Sequence, residues 1–410
     1  MTKPRFMFYS MPKNLFLIIK FFFSRNKEEI GTRIKNKFES LFGINNLILL
    51  PQCRVGIYLA VKAIVEPQKN EIILPAYTIF DVVNMVLAGG GKPVFCDVKR
   101  LTSNIDPEQI VKHITPNTKA VLVPHLHGLS AEITEIKQIC DEHGILLIED
   151  VAQALGSSYD GHSLGTVGDM SVFSFGRAKN INAFFGGAIS VSNDAYRAPI
   201  EKELADWPAE SAFKLWKRII LTSVSYFATT QILFNLVTFK YFKRSIKSKG
   251  ENGLKVLATE NNPYRRDDLP EDYKRNISKL QQYLVLDQLD SVRSDASKRK
   301  AIAKIFSEEI NFSSELVPQE VGSKAVHEFF QFPVIVKDRY KIGKYLLEND
   351  VDVAFQHLNN LAAVDCFSEF SSECKETELL SKTLMLLPTY PDFGIENAER
   401  IVKVLNDYNR

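Results

Sequence analysis

An acidic residue and a lysine, each at the end of an apolar run, are the side chains in this sequence best suited to chemistry. Asp150 closes one apolar run, and Lys179 follows the apolar segment 173–175 in a loop with flanking glycines. A lysine amine among apolar neighbours has a lowered pKa, which suits Schiff-base formation with an aldehyde. A carboxylate holds a pyridine nitrogen protonated, so that the ring takes up electrons. The pair predicts a pyridoxal phosphate (PLP) enzyme, although each residue alone is commonly a helix cap or a solvated charge.

Neighbouring residues fit the same cofactor. Gln153 is placed to reach the phenolic oxygen of the ring, and Ala152 is small enough for the ring to lie against it. Ser174 is a candidate phosphate ligand five residues before the lysine. A second phosphate anchor is expected where Cys53 and Arg54 open a helix, because free N–H groups and the helix dipole favour an anion there. Strand-end hydroxyls and exposed arginines are common, so these assignments depend on the acid–lysine pair.

Alternating strand and helix patterns place these residues at one edge of a sheet. Short apolar runs alternate with segments of helical spacing through the first half of the chain. The predicted strands are 47–50, 71–75, 93–98, 120–123 and 145–149, and the predicted helices are 54–65, 82–87 and 132–143. The alternation predicts an α/β fold with a mainly parallel sheet and a site beyond the carboxyl ends of its strands. Asp150, Tyr77 and His125 all fall at such ends.

The composition fits a globular enzyme of about two domains. The chain has 410 residues, 45% hydrophobic and 24% charged, and its net charge of +2 gives no general affinity for polyanions. Five scattered cysteines without CxxC spacing predict reduced thiols and no metal site. The predicted organisation is an N-terminal arm (1–46), a large PLP-binding domain (47–195), a helical insertion (196–265), a long connecting helix (266–306) and a small α+β domain (307–410).

Two stretches are both basic and apolar. Residues 1–27 hold six bases and no acid, and residues 213–249 hold eight bases and no acid. The 21 residues of 219–239 are uncharged and long enough to cross a bilayer, but eight Ser, Thr, Asn and Gln side chains favour a helix lying on an anionic membrane. The alternative is a helical pair packed on a dimer partner or over the site. Apolar residues between the bases argue against nucleic-acid binding.

The N-terminal stretch resembles a signal peptide in charge alone. Lys20 interrupts its apolar run, and no small-residue cleavage site follows. We therefore expect a cytoplasmic protein, attached peripherally to the inner face of the membrane if the two basic apolar stretches bind lipid.

An ordered series of motifs resembles one enzyme family. The matching segments are LPAYT (74–78), KPVFCDV (92–98), ITPNTKA (114–120), HLHG (125–128), IEDVAQA (148–154), SFGRAKN (174–180) and LPTYP (387–391). The chain resembles the DegT/DnrJ/EryC1/StrS sugar aminotransferases, closely over 47–195 and more loosely over 270–410. The resemblance implies a fold-type-I PLP architecture and a homodimer whose active sites use both subunits. It also implies that Lys179 is the cofactor lysine, Asp150 the pyridine partner, Gln153 a ring-oxygen contact and Ser174 a phosphate ligand.

Several positions depart from the pattern of that family. The family usually has glycine or alanine followed by threonine where this chain has Cys53 and Arg54, so we expect the arginine to replace the threonine at the phosphate. The aromatic residue that often stacks on the ring falls on Ile79, and we expect Phe80 to substitute for it. The family's Asn-Tyr-Arg segment, which reaches the partner subunit's phosphate, aligns with residues 274–276, so we expect Lys274 or Arg275 to do that work.

The resemblance also implies a reaction. Substrate contacts are expected at Tyr77 and at His357, which lies near the position of a His-Tyr-Pro-Pro segment in the family. Family dehydratases carry histidine instead of the cofactor lysine, so Lys179 favours the aminotransferase branch. We expect amino transfer from glutamate to a keto-sugar, nucleotide-linked or lipid-linked, for cell-surface polysaccharide or glycan synthesis. The alternative is a membrane-docked scaffold or sensor of the same fold with little turnover, which the altered phosphate site favours.

Overall fold

The computed structural model describes residues 1–24, 28–250, 262–320, 322–355 and 358–409. The strands are β1 (Leu47–Leu50), β2 (Glu71–Pro75), β3 (Lys92–Cys96), β4 (Thr118–Pro124), β5 (Leu146–Asp150), β6 (Ser158–Tyr159), β7 (His162–Ser163), β8 (Met170–Ser174), β9 (Gly187–Val191), β10 (Leu316–Pro318), β11 (Ala325–Val326), β12 (Phe332–Val336), β13 (Ala354–Phe355) and β14 (Leu384–Leu387). The helices are α1 (Met11–Phe23), α2 (Ile30–Phe42), α3 (Cys53–Ile64), α4 (Phe80–Ala88), α5 (Pro107–His113), α6 (Ile133–His143), α7 (Asp194–Ala205), α8 (Ala212–Thr229), α9 (Gln231–Leu233), α10 (Phe239–Lys249), α11 (Lys279–Gln288), α12 (Val292–Glu309), α13 (Arg339–Glu348), α14 (Lys375–Thr383) and α15 (Ile395–Tyr408).

A seven-stranded sheet with the order β1-β9-β8-β5-β4-β2-β3 forms the centre of the large domain. Strands β3, β2, β4, β5 and β8 are parallel to one another, whereas β9 runs antiparallel to both β8 and β1. Parallel strands joined by helical crossovers are covered on both faces, which explains why β2 is buried along its whole length. Register pairs Asp150 with Pro124 on one side and with Val172 on the other, so three strand ends share one edge.

Local sequence signals explain where the flanking helices lie and end. In α2 the buried residues Ile30, Ile34, Phe38 and Phe42 recur every fourth position and form one apolar stripe. The helix ends at Gly43, whose φ of 72° is a left-handed conformation that glycine adopts without steric cost. The same pattern of stripe and terminal glycine would identify this helix from the sequence alone.

The C-terminal part has its own sheet and core. Strands β10, β12, β14 and β13 form an antiparallel sheet in that order, and α12, α13 and α15 pack with it. A third small sheet joins β11 to the hairpin β6–β7 of the large domain. The predicted class is confirmed, since the molecule combines a mainly parallel α/β sheet with a smaller antiparallel α+β unit.

The predicted single helix over 266–306 is wrong. A 3-10 turn occupies Glu271–Tyr273, and α11 begins only at Lys279. The Ser278 hydroxyl accepts the backbone N–H of Gln281, and the Gln281 side chain accepts the N–H of Ser278, so a capping box fixes the start of α11. A second 3-10 turn, Leu289–Ser291, separates α11 from α12. The insertion is helical as predicted, with α8 to α10 and a π-helical turn at Phe234–Thr238, while its residues 251–261 lie outside the described part.

The N-terminal arm is held against several parts of the molecule. Arg5 forms an ion pair of 2.5 Å with the buried carboxylate of Asp352 in the small domain. Thr2 and Asn235 exchange two hydrogen bonds of 3.0 and 2.8 Å, which join the arm to the insertion. The Tyr390 hydroxyl donates to the Pro4 carbonyl at 3.0 Å. The arm therefore belongs to the folded structure over residues 2–5.

The junction of β9 and α3 supplies a test of this packing. A Cβ on Gly187 would lie 2.5 Å from the backbone nitrogen of Cys53 and 2.7 Å from the carbonyl oxygen of Phe173. We expect Gly187→Ala to destabilise the fold by about 1–3 kcal/mol, because backbone atoms cannot move aside cheaply. Thermal unfolding followed by circular dichroism measures the shift. Gly322→Ala is the control, since nothing lies within 4 Å of its Cβ. Equal melting temperatures for both variants would contradict this packing.

Candidate active site

Asp150 and Lys179 line one open cavity of about 270 Å³ at the carboxyl edge of the parallel strands. Asp150 comes from the end of β5, and Lys179 comes from the loop between β8 and β9. Ala152 and Ser174 line the same cavity. Strand ends thus deliver four of the predicted residues to a common space, as the rule for open α/β sheets requires.

The amine of Lys179 is kept available. Its backbone N–H donates to the Gly176 carbonyl at 3.1 Å, which shapes the loop, and its Nζ lies 5.4 Å from the centre of the Phe330 ring. Burial lowers the pKa of Lys179, and the charge of Asp150 opposes that shift only in part. Within the described residues Nζ forms no ion pair. A larger neutral fraction makes this lysine a better nucleophile than a solvated one.

The Asp150 carboxylate is almost completely buried. Its Oδ1 accepts the backbone N–H of Ala152 at 2.9 Å and lies 3.9 Å from the Cys53 sulfur. Burial raises the pKa of Asp150, while the hydrogen bond from Ala152 and the charge of Lys179 act in the opposite direction. A buried carboxylate of this kind interacts strongly with any cation brought to it, including a protonated pyridine nitrogen.

Glu149, the residue before Asp150, is a structural acid that the sequence analysis did not assign. Its carboxylate is fully buried and accepts the backbone N–H groups of Gly165, Val167 and Gly168 at 2.9, 3.0 and 2.6 Å. His125 Nε2 donates to it at 3.2 Å. Burial alone would raise the pKa of Glu149, but the His125 contact and these N–H groups lower it overall. The acid thereby fastens the loop that precedes β8.

The two predicted phosphate anchors, the start of α3 and the Ser174 hydroxyl, line the same cavity. Gln52, the N-cap of α3, gives no side-chain cap, so the first N–H groups of that helix lack a side-chain acceptor. Gln52, Cys53 and Ser174 all line the cavity. The N-terminus of a helix of twelve residues attracts an anion through these groups and through its dipole. The predicted pair of phosphate anchors is therefore brought together in space.

Arg54 reaches the cavity but is already paired. Its Nη1 forms an ion pair with Asp81 and lies 3.3 Å from the Tyr273 hydroxyl, and its guanidinium lies 5.6 Å from the centre of the Tyr273 ring. Asp81 also lines the cavity and was not identified from the sequence. The positive charge expected at the phosphate is therefore offset by a carboxylate.

Two aromatic residues assigned to the site, Phe80 and Tyr77, are not among the residues that line this cavity. Phe80 packs against Tyr264 with ring centres 4.9 Å apart and does not line the cavity, whereas its neighbour Ile79 does. Tyr77 is fully buried in an apolar cluster that includes Leu126 and Ile335. The first turn of α4 directs Phe80 away from the site, and Tyr77 fills the space between the two sheets. The contacts assigned to Phe80 and Tyr77 with a ring and a substrate stay predictions.

Three predicted site residues remain, Gln153, Lys274 and His357, and their roles stay predictions. Gln153 Oε1 accepts the backbone N–H of His127 at 2.8 Å, which leaves its amide NH₂ as the group for a ring oxygen. Lys274 pairs with Glu271 at 2.5 Å, and its role toward a partner subunit stays a prediction. His357 lies outside the described residues.

The side chains that line the larger cavity fit PLP. The cavity combines an amine of lowered pKa for the aldehyde, a buried carboxylate for the pyridine nitrogen, and a helix end with a hydroxyl for the phosphate. A Cβ at Gly187 would fill the space against Cys53, so close backbone approach is built into this cradle. Fold and site together define a PLP-dependent aminotransferase of fold type I.

The family follows from the match to known sequences. The model of the DegT/DnrJ/EryC1/StrS aminotransferase family matches residues 28–206 and 246–406, so the chain belongs to that family of sugar aminotransferases. The match leaves out residues 1–27 and 207–245. These stretches overlap the two basic apolar segments, 1–27 and 213–249, so those segments lie almost wholly outside the ranges that the family model matches.

Individual relatives agree with this assignment. An uncharacterised protein of Methanocaldococcus jannaschii is 28% identical over 75% of this chain and 70% of its own. A dTDP-3-amino-3,6-dideoxy-alpha-D-galactopyranose transaminase of Aneurinibacillus thermoaerophilus is 26% identical over 91% of this chain and 88% of its own. The solved structure of DesV from S. venezuelae superposes with a TM-score of 0.74 at 17% identity, covering 99% of this chain and 98% of that one, which shows the shared fold.

The Arg54–Asp81 pair generates a prediction about cofactor binding. We expect Asp81→Asn to tighten PLP binding by roughly three- to tenfold, because it frees the Arg54 charge for the phosphate. Arg54→Ala should weaken binding by a similar factor. Absorbance titration of the apoprotein measures both dissociation constants. Glu376→Gln, which frees Arg100 on the surface, is the matched control. Weaker binding in Asp81→Asn would mean that Asp81 positions Arg54 rather than competing for it.

Proposed function

We propose that this chain transfers the amino group of glutamate to a keto-sugar carried on a nucleotide, in the synthesis of a cell-surface polysaccharide or glycan. The observation that carries the proposal is the half-buried Lys179 amine, with its lowered pKa, in one cavity with the Asp150 carboxylate. The name of the dTDP-amino-sugar transaminase supports a nucleotide-linked sugar as the acceptor.

The residues of the site divide the chemical tasks. When bound, PLP supplies an electrophilic carbon and an electron sink for the carbanion formed at the substrate. Asp150 holds the pyridine proton, and Ser174 with the α3 N-terminus binds the phosphate. Lys179 Nζ would hold the aldehyde carbon of the cofactor, and its free amine would act as the base and then the acid that moves the substrate proton. Burial lowers the pKa of Lys179, which favours the neutral amine that a base requires.

A homodimer is part of the proposal. The family resemblance places Lys274 at the phosphate of the partner subunit, and its Nζ is held by a partly exposed ion pair with Glu271. An exposed pair of this kind contributes little to stability and exchanges readily for a phosphate oxygen.

The central prediction concerns the lysine. We expect the purified protein to show the visible absorption band of lysine-bound PLP, and glutamate should bleach it. Lys179→Ala should lack both the band and the response, whereas Lys337→Ala, a change of an exposed lysine, should keep them. A wild-type protein that takes up no PLP would refute the proposal. A band that glutamate never changes would favour the scaffold or sensor of the same fold.

We also propose that the enzyme docks on an anionic membrane through one apolar surface. The docking surface consists of the exposed apolar side chains of α1 and α8. They are Phe16, Ile19, Phe22 and Phe23 on α1, and Phe213, Trp216, Ile220, Leu221, Val224 and Phe227 on α8. The Phe22 and Trp216 rings stack with centres 6.4 Å apart, so the two helices form one continuous patch. Apolar patches of this size mark interaction sites.

The charges beside this patch favour lipid as its partner. Six exposed cations without an ion pair among the described residues lie on three helices, one each on α1 and α8 and four on α10. They are Lys20, Lys217, Lys240, Arg244, Lys247 and Lys249. Such clusters attract anionic headgroups, whereas two copies of the same surface would repel each other. No single helix of the described residues has the length and apolar content to cross a bilayer. The pair Ala212–Thr229 and Gln231–Lys249 has them only when the two helices are taken together, and the pair is bent by 60°. A helix lying at the interface is consistent with both observations.

Vesicle binding tests the docking surface. We expect wild-type protein to co-sediment with phosphatidylglycerol vesicles, less so at high salt, and to leave pure phosphatidylcholine vesicles largely unbound. The triple change Phe22→Ser, Phe213→Ser and Trp216→Ser should abolish most of this binding, while Val111→Ser, an exposed apolar residue elsewhere, should not. Unchanged sedimentation of the triple variant would exclude this surface. A wild-type oligomer that the triple change dissociates would assign the surface to a second copy instead.

A further inference from the structure

Arg299 is a buried arginine that forms no ion pair with the described residues. It lies on α12, is 2% exposed, and is among the largest fully buried side chains. Its Nη2 donates to the Tyr9 hydroxyl at 2.9 Å, but its Nη1 is buried with no hydrogen-bond partner in the described part of the chain. Asp295, one turn earlier, feels the charge of Arg299, but its ion pair, at 3.9 Å, is with Lys298. A buried guanidinium N–H without an acceptor is costly, and the described residues supply none to Nη1.

The Arg299 side chain lines a small cavity beside the active site. Arg299, Tyr9, Met7, Phe330 and Lys179 line it, together with residues of the β14–α15 loop. Lys179 also lines the larger cavity, so a group bound here would be next to the lysine amine.

Three hydroxyl groups around the small cavity are already hydrogen-bonded. The Thr389 hydroxyl donates to the Phe329 carbonyl at 2.7 Å, and the Tyr390 hydroxyl donates to Pro4. Tyr9 donates to the Asn180 carbonyl at 3.5 Å while accepting from Arg299. The Nη1 of Arg299 differs from them because it is buried and has no hydrogen-bond partner among the described residues.

We propose that Arg299 binds a carboxylate of the amino-acid donor, an inference that rests on the proposed transamination. The free space is about 40 Å³, room for a few water-sized groups and hence for a planar carboxylate rather than a diphosphate. The guanidinium fork matches the two oxygens of a carboxylate, and such charge-assisted contacts are strong when buried. Lys179 lies at the same cavity, so the donor's carboxylate would lie beside the amine that shuttles its proton.

The N-terminal arm completes this subsite. Met7 and Tyr9 precede the residues matched by the family, which begin at 28. Burial raises the pKa of Tyr9 to about 12, so its hydroxyl stays protonated and bridges Arg299 to Asn180. The donor site of this chain thus uses a segment outside the shared fold.

Glutarate, a dicarboxylate without an amine, tests the assignment apart from turnover. Calorimetric titration of the PLP-loaded protein should give a dissociation constant that Arg299→Gln raises at least tenfold and Arg299→Lys raises less. The glutamate concentration for half-maximal bleaching should rise in parallel, while PLP affinity stays unchanged. Lys298→Gln, an exposed neighbour on α12, is the matched control. Inorganic phosphate that binds at this arginine more tightly than glutarate would overturn the carboxylate assignment.

A second variant covers the case in which Arg299→Gln fails to fold. Met7→Trp fills the cavity from the half-buried arm, leaves Arg299 in place, and should weaken glutarate binding at least tenfold. Wild-type protein that takes up PLP and responds to glutamate, with glutarate binding unaffected by Met7→Trp or Arg299→Gln, would refute the inference and leave the proposed function intact. Protein that takes up no PLP would refute the proposed function instead.

Discussion

The site depends on two consecutive buried carboxylates, Glu149 and Asp150, at the end of strand β5. Successive strand side chains point to opposite faces, so Glu149 and Asp150 cannot share one environment. Glu149 is satisfied internally by three backbone N–H groups and His125. Asp150 has one backbone N–H and the open cavity. The first acid holds β5 and the following loop in place, and the second is left for the cofactor. Loss of the Glu149 carboxylate would therefore affect the fold, whereas loss of the Asp150 carboxylate would affect the chemistry.

Charge balance distinguishes the parts of the site. Asp150 and Lys179 offset each other across the cavity, and Arg54 is offset by Asp81. An anion that binds Arg54 would therefore compete with the Asp81 carboxylate. Arg299 differs, because its buried Nη1 has no hydrogen-bond partner among the described residues. Under the two proposals, Arg54 would serve the cofactor and Arg299 the amino-acid donor.

Much of the fold and part of the site were predictable from sequence. Apolar runs located β1, β2 and β5 to within a residue, because strands buried on both faces leave continuous hydrophobic stretches. Lys179, Asp150 and Ser174 converge because strand ends of a parallel sheet share one edge. The direction of Phe80 and the partner of Arg54 were not predictable, since both depend on packing across α4. Arg299 lies 290 positions from Tyr9, and nothing in its local sequence distinguishes it from a surface arginine of an amphipathic helix.

The two segments outside the family match, 1–27 and 207–245, meet at α1, where Phe22 stacks on Trp216. Tyr9 lines the small cavity, and the chain continues after Ser10 into α1, which carries the exposed Phe16 and Phe22. Asn14 donates to the Asn182 carbonyl at 2.8 Å, so α1 is anchored to the loop that holds Lys179. The proposed docking surface and the proposed donor subsite therefore share α1 and the residues that precede it, so the two proposals are linked through this short segment.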